Sequence, residues 1–110
     1  MKRLCMIAAV FAVGATSLPA VAEVDASAAN ALVRKSKCLT CHALDKKKDG
    51  PSYKEVAAKY KDKADAEDKL IKHVTVASKV KVDGKEEEHE TLKTDDPAAA
   101  RNVVQWILSL

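Results

Sequence analysis

Between residues 23 and 110 the chain holds no methionine and no phenylalanine, because Met1, Met6 and Phe11 all lie near the start. Tyr53, Tyr60 and Trp106 are the aromatics left in that stretch, which leaves little ring surface for a core. Glycine is scarce, at three residues in 110, so there is no glycine-rich phosphate loop. No apolar run approaches the roughly 20 residues that span a bilayer. Neither charge sign dominates: 19 basic residues face 16 acidic ones, interleaved along the chain. A nucleic-acid footprint needs clustered Lys and Arg in excess, so nucleic acid is excluded as a partner. Internal repeats and low-complexity linkers are absent too, and the length fits one small domain.

The first residues have the three-part layout of a secretory leader. Lys2 and Arg3 are followed by the apolar run LCMIAAVFAVGA and by the small residues Ala20-Val21-Ala22. That order predicts a signal peptide over 1–22, cleaved after Ala22, a periplasmic product, and no stable membrane insertion afterwards. Cys5 and both methionines leave with it. The remaining domain, 23–110, has 17 basic and 16 acidic residues. A domain of this size often needs a metal, a cross-link or a large cofactor to complete its core.

The mature stretch reads mainly as helices. DASAANALVRKSK, 25–37, is Ala-rich, with Ala28, Leu32 and Val33 expected on one face. Ser52-Tyr53-Lys54-Glu55 matches a capping box that opens a helix with Val56, Ala57 and Tyr60 at apolar spacing. DAEDKLIKHV, 65–74, predicts a third helix with Asp65 as N-cap and Leu70, Ile71 and Val74 turned inward. Val80 and Val82 alternate with lysines before Asp83-Gly84, a hairpin signal. Lys85–Glu90 is so charged that it predicts a short exposed hairpin or loop near 79–90 and no sheet. The last helix is the clearest: Asp96 caps it, Pro97 suits its first turn, and Ala100, Val103, Val104, Ile107 and Leu108 recur at helical spacing.

The chemistry is concentrated in Cys38-Leu39-Thr40-Cys41-His42. C-x-x-C-H is the attachment pattern for a c-type haem. Two thiols at this spacing reach the two vinyl groups on one haem edge and form thioethers, and the adjacent imidazole binds the iron. Three other readings compete. A thioredoxin-type redox pair needs a preceding strand and a βαβ setting, whereas helix and charged loop flank these cysteines. A structural zinc site would need a fourth ligand, from His73 or His89, at odd spacing. A plain disulfide between Cys38 and Cys41 suits an exported protein but leaves His42 without a role.

CLTCHALDKKKDGPSYKEVAAKY, 38–60, resembles the small single-haem bacterial class I cytochromes c, as do Gly50-Pro51, Val56–Tyr60 and Trp106-Ile107-Leu108 in their order along the chain. The resemblance implies an all-α fold of about four helices around one covalently attached haem, the first and last helices crossing. It implies that the Pro51 carbonyl accepts from Nδ1–H of His42, and that Tyr53 or Trp106 helps line the haem surroundings. One departure is that Val33 and its neighbours take the crossing position usually held by Gly or an aromatic.

The larger departure is the second iron ligand. That family brings a methionine from the loop before the last helix, and no methionine remains in 23–110. His89 lies close to the corresponding position, so His42 and His89 are the expected axial pair. His73, a lysine, or no sixth ligand are the alternatives. Methionine raises a haem's potential, so imidazole in its place predicts a low one. The expected protein is a monomeric, non-enzymatic electron carrier that meets redox partner proteins through lysines near the haem edge, Lys46, Lys47, Lys48 and Lys54. The alternative is a haem-based sensor or small-gas binder with a labile or empty sixth position.

Overall fold

Asp25 turns the chain into α1, Ala26–Lys35, with its carboxylate accepting from Ala28 N–H at 2.9 Å. The structure, a computed structural model, describes residues 14–17 and 23–110. Most of the expected leader, with the cleavage site after Ala22, lies outside the described residues. Among the described residues no helix is long and apolar enough to cross a membrane. After α1 come a 3₁₀ turn at Cys38–Thr40, α2 at Tyr53–Tyr60, α3 at Ala66–Thr75, strands β1 at Ser78–Val82 and β2 at Lys85–His89, and α4 at Pro97–Leu108.

The buried face of α1 is Ala29 and Val33, with Leu32 half-buried; Ala28 is exposed, contrary to the expected stripe. Positions 29 and 33 are i and i+4, so they stack on one face. Helix α1 packs on α4, and Ala29, Val33, Ala100 and Val103 share one buried cluster. Ala29 supplies the small residue that this crossing needs. Asn102 clamps the pair, accepting from Asp25 N–H and donating to Asp25 C=O, both at 2.8 Å. Ser36 is fully buried at the far end of α1, and its hydroxyl accepts from Lys93 N–H at 2.9 Å. Both ends of α1 are thereby tied to the α4 segment.

Helix α2 opens with the expected capping box: Ser52 Oγ accepts from Glu55 N–H, and the Glu55 carboxylate accepts from Ser52 N–H. Asp65 sits at the N-cap of α3 but makes no capping bond, because its carboxylate pairs with Lys69 at 2.9 Å. Arg101 on α4 reaches Glu67 on α3 at 2.8 Å and joins these two helices. Asp96 caps α4 through Ala98 N–H, with Pro97 at the first helical position.

The hairpin expected near 79–90 is present, and Lys85–His89 forms its second strand although its charge marked it as poor strand material. It pairs antiparallel with β1 in the register Ser78↔His89, Lys79↔Glu88, Val80↔Glu87, Lys81↔Glu86 and Val82↔Lys85. Two of these couples set lysine opposite glutamate, an arrangement that stabilises a ladder. Asp83 and Gly84 both have positive φ, 51° and 77°, as a two-residue type I′ turn requires. The result is a two-stranded hairpin on a helical frame.

Candidate functional site

The end of α1 delivers the two cysteines. Lys37 adopts the left-handed region, φ 61°, and stops the helix two residues earlier than the composition suggested. The carbonyl of Cys38 then accepts from both Cys41 N–H and His42 N–H. The motif is therefore one tight turn that holds both thiols and the imidazole together. Cys38 and Cys41 are free and half-buried, so they form no disulfide. Among the described residues no strand precedes them, which leaves the thioredoxin-type reading without its βαβ setting. No group of three or more His, Cys, Asp or Glu is placed to hold a metal ion among the described residues.

His42 is fixed from three directions. Its Nδ1 donates to Pro51 C=O at 2.6 Å. Its ring stacks on Tyr53, with centroids 5.4 Å apart. Gly50 lies against its other side, so close that an added Cβ would stand 2.6 Å from Cε1. The loop that carries Gly50 and Pro51 is held to the motif by backbone bonds from Gly50 N–H to Cys41 C=O and from Tyr53 N–H to Ala43 C=O. Lys48 folds back onto Leu39 C=O at 2.8 Å, so it is tied down locally. Tyr53 is buried, and Trp106 meets it edge-on at 5.9 Å. Trp106 itself does not border the cleft. It backs Tyr53 from the core.

These elements enclose a cleft of about 750 Å³, within the roughly 300–1,000 Å³ of small-molecule and cofactor sites. Val33, Val56, Leu70, Val80, Leu92 and Val103 contribute to its apolar wall. All three histidines reach it. His89 closes β2, and just beyond it Leu92 N–H bonds Val74 C=O at 2.8 Å, tying the chain after the hairpin to the end of α3. The centroids of His42 and His89 are 6.2 Å apart, with 67° between the ring planes. Two imidazoles bound on opposite sides of one metal, with bonds of about 2 Å and ring centres about 1.2 Å beyond each nitrogen, have centroids roughly 6.4 Å apart. The spacing fits one iron between them.

His73 is nearer this site than its helix pattern suggested. Its ring lies 4.1 Å from that of His89, tilted by 39°. Burial against the cleft wall lowers the His73 pKa, with His42 adding to the effect, although one side of the ring remains exposed. His89 is lowered first by burial, then by the neighbouring His73 and His42; Glu90 opposes this. Both rings are biased towards the neutral form, the one that binds metal. Burial raises the Cys38 thiol pKa, and the neighbouring Tyr53 hydroxyl opposes the shift. The Tyr53 hydroxyl is raised well above its ordinary value by burial first, then by Cys38.

Two paired thiols beside an imidazole, opening on an apolar cleft with a second imidazole across it, define a covalent haem site of the electron-transfer kind. Comparison with known proteins agrees. The family model described as cytochrome c matches residues 26–110. Cytochrome c-552 of Nitrosomonas europaea is 34% identical over 100 residues, covering 91% of each chain. Cytochrome c-551 of Azotobacter vinelandii is 36% identical over 75 residues, 66% of this chain and 84% of its own. The crystal structure of the class 1 cytochrome MtoD from Sideroxydans lithotrophicus ES-1 superposes with a TM-score of 0.75 at 55% identity, covering 79% of this chain and 97% of that one. The chain belongs to the cytochrome c family, whose members carry covalently bound haem c, one in the small class I proteins.

Proposed function

We propose that this cytochrome is a periplasmic one-electron carrier, and not an enzyme, whose iron is held by His42 and His89 and whose potential is therefore low. When bound, the haem supplies the ferric/ferrous couple. Cys38 and Cys41 anchor it, and the Pro51 carbonyl orients His42 and makes it a stronger donor. Tyr53 and the apolar wall exclude water from the proximal side. His89 supplies imidazole where methionine would raise the potential, and the glutamates around it favour the oxidised centre, with solvent screening most of their effect. Exposed Lys46, Lys47 and Lys54 steer an acidic redox partner in weak, salt-dependent encounters between monomers.

The 6.2 Å spacing of the His42 and His89 rings carries this reading. Optical and EPR spectra of both oxidation states, with a redox titration, test it. The expected wild-type spectrum is low-spin bis-imidazole with no methionine–iron charge-transfer band. His89→Met should introduce that band and raise the potential. If His89→Ala leaves the wild-type spectrum unchanged, the assignment is wrong. The sensor reading draws on one observation, that His89 is carried by an exposed two-stranded hairpin. Rapid CO binding by the reduced wild-type protein at neutral pH would favour it, whereas resistance to CO favours the carrier.

A further inference from the structure

Among the described residues, two buried side-chain polar atoms have no hydrogen-bond partner: Ser78 Oγ and His89 Nδ1. Buried polar groups are seldom left unpaired, and these two belong to residues that face each other across the hairpin, Ser78↔His89. Side chains alternate along a strand, and directly opposed residues project to the same face. Both residues are half-buried, whereas the neighbouring pair Lys79↔Glu88 is exposed. The shared face of Ser78 and His89 is therefore the more buried face of the hairpin at this pair.

The burial of Nδ1 also orients the ring. His89 borders an open cleft, and an atom directed into that space would be accessible. Nδ1 is not, so it is turned into the protein and Nε2 is the nitrogen left to face the cleft. A neutral imidazole has one donor and one acceptor nitrogen. With Nε2 bound to iron, the proton resides on Nδ1 and needs an acceptor. On the proximal side Pro51 C=O fills that role at 2.6 Å. On the distal side the facing side chain ends in a hydroxyl, which can accept and whose χ1 rotation between staggered wells brings it towards the ring. Opposed Cβ atoms about 4.5–5.5 Å apart put that contact within reach.

We propose that Ser78 is the positioning residue of the distal imidazole, its Oγ accepting the Nδ1–H of His89. This rests on the reading of His89 as an iron ligand. The bond fixes the plane of the distal ring against the proximal one and strengthens His89 as a donor. Without it the ring is free to turn, and an external ligand displaces it more readily.

The experiment compares Ser78→Thr with Ser78→Val in the haem-loaded protein, two side chains of one shape that differ by the hydroxyl. The readouts are the affinity of the ferric form for cyanide, the low-spin EPR signal and the reduction potential. Ser78→Thr should resemble wild type. Ser78→Val should bind cyanide about 10–100-fold more tightly, taking as the scale the metal affinity lost when a ligand's hydrogen-bond partner is removed, with a shifted EPR signal and a raised potential. If Val and Thr behave alike while wild type is bis-imidazole, Nδ1 is held by another acceptor, such as the Glu90 carbonyl, and the proposal falls alone. If His89→Ala leaves the wild-type EPR signal unchanged, His89 is not a ligand, and both readings fall.

Discussion

Gly50→Ala tests how His42 is held. The backbone at Gly50 is outside the left-handed region, so alanine fits its conformation. By itself such a change stabilises by about 0.4–1 kcal/mol, through a less disordered unfolded chain. Against that, the new Cβ would stand 2.6 Å from Cε1, 3.0 Å from Nδ1 and 3.1 Å from Nε2 of His42. A flexible side chain would swing aside. This ring cannot, because Pro51 C=O and Tyr53 hold it. Overpacking of this kind costs about 1–3 kcal/mol, and stretching the bond to Pro51 costs about 1 kcal/mol more. The net expectation is a loss of about 2 kcal/mol, which is roughly 10 °C in Tm for a domain of this size. Thermal unfolding of the haem-loaded protein, followed by circular dichroism, measures it. The visible spectrum should change in parallel, since the displaced group is the proposed iron ligand. Unchanged or higher stability with an unaltered spectrum would refute the packing of His42 on Gly50.

Gly84 makes the opposite case: nothing lies within 4 Å of an added Cβ, but φ is +77°. Gly84→Ala should cost about 1–2 kcal/mol in hairpin stability, while Gly84→Asn, which tolerates that region, costs less; hydrogen exchange of the β1 and β2 amides reads the difference. The Glu55 carboxyl is held below its ordinary 4.5, first by Ser52 N–H and then by the Ser52 hydroxyl. A lowered folded pKa means that its stabilisation is present above pH 4.5 and disappears as pH falls through the folded value. Wild type and Glu55→Gln should therefore converge in denaturant midpoint on acidification below pH 4.5; parallel curves would refute this. Asn102→Ala removes both bonds to Asp25 and should lower unfolding stability by about 1 kcal/mol with the haem spectrum intact, because the clamp lies at the helix crossing.

The helices and the proximal half of the site were legible because local rules determine them. The Ser52–Glu55 box, the Asp96-Pro97 start and the Cys38–His42 turn each depend on residues within five positions of one another. What the sequence hid is mostly non-local. Gly50 reads as loop punctuation until the ring of His42 is seen against it. Lys48 reads as a docking charge until it is seen bonding Leu39 C=O. Trp106 has the right motif, and its edge-on contact with Tyr53 shows only in the fold. Asp65 occupies a cap position, yet Lys69 one turn later competes for its carboxylate. His73 has an ordinary surface-helix pattern, and only the placement of β2 brings His89 against it. Ser78 carries no sequence signal at all, since its interest arises from the register that sets it opposite His89.

That register gives the charged hairpin a structural purpose. Lys85–Glu90 reads as weak strand material when each residue is scored alone, but charge works in the ladder as matching. Lys79↔Glu88 and Lys81↔Glu86 oppose unlike charges, at about 0.2–1 kcal/mol each, and the type I′ turn at Asp83-Gly84 sets where pairing begins. A slip of one residue would reverse which side chains face inward, turning His89 away from His42 and setting Glu88 or Glu90 in its place. The glutamates flanking His89 would be poor substitutes against an apolar wall, because burying an unpaired carboxylate is far more costly than burying a neutral imidazole. Alternating charge on the outer face and Val80, Val82, Ser78 and His89 on the inner one therefore act together. The outer pairs select the register, and the register selects which side chain reaches across to His42.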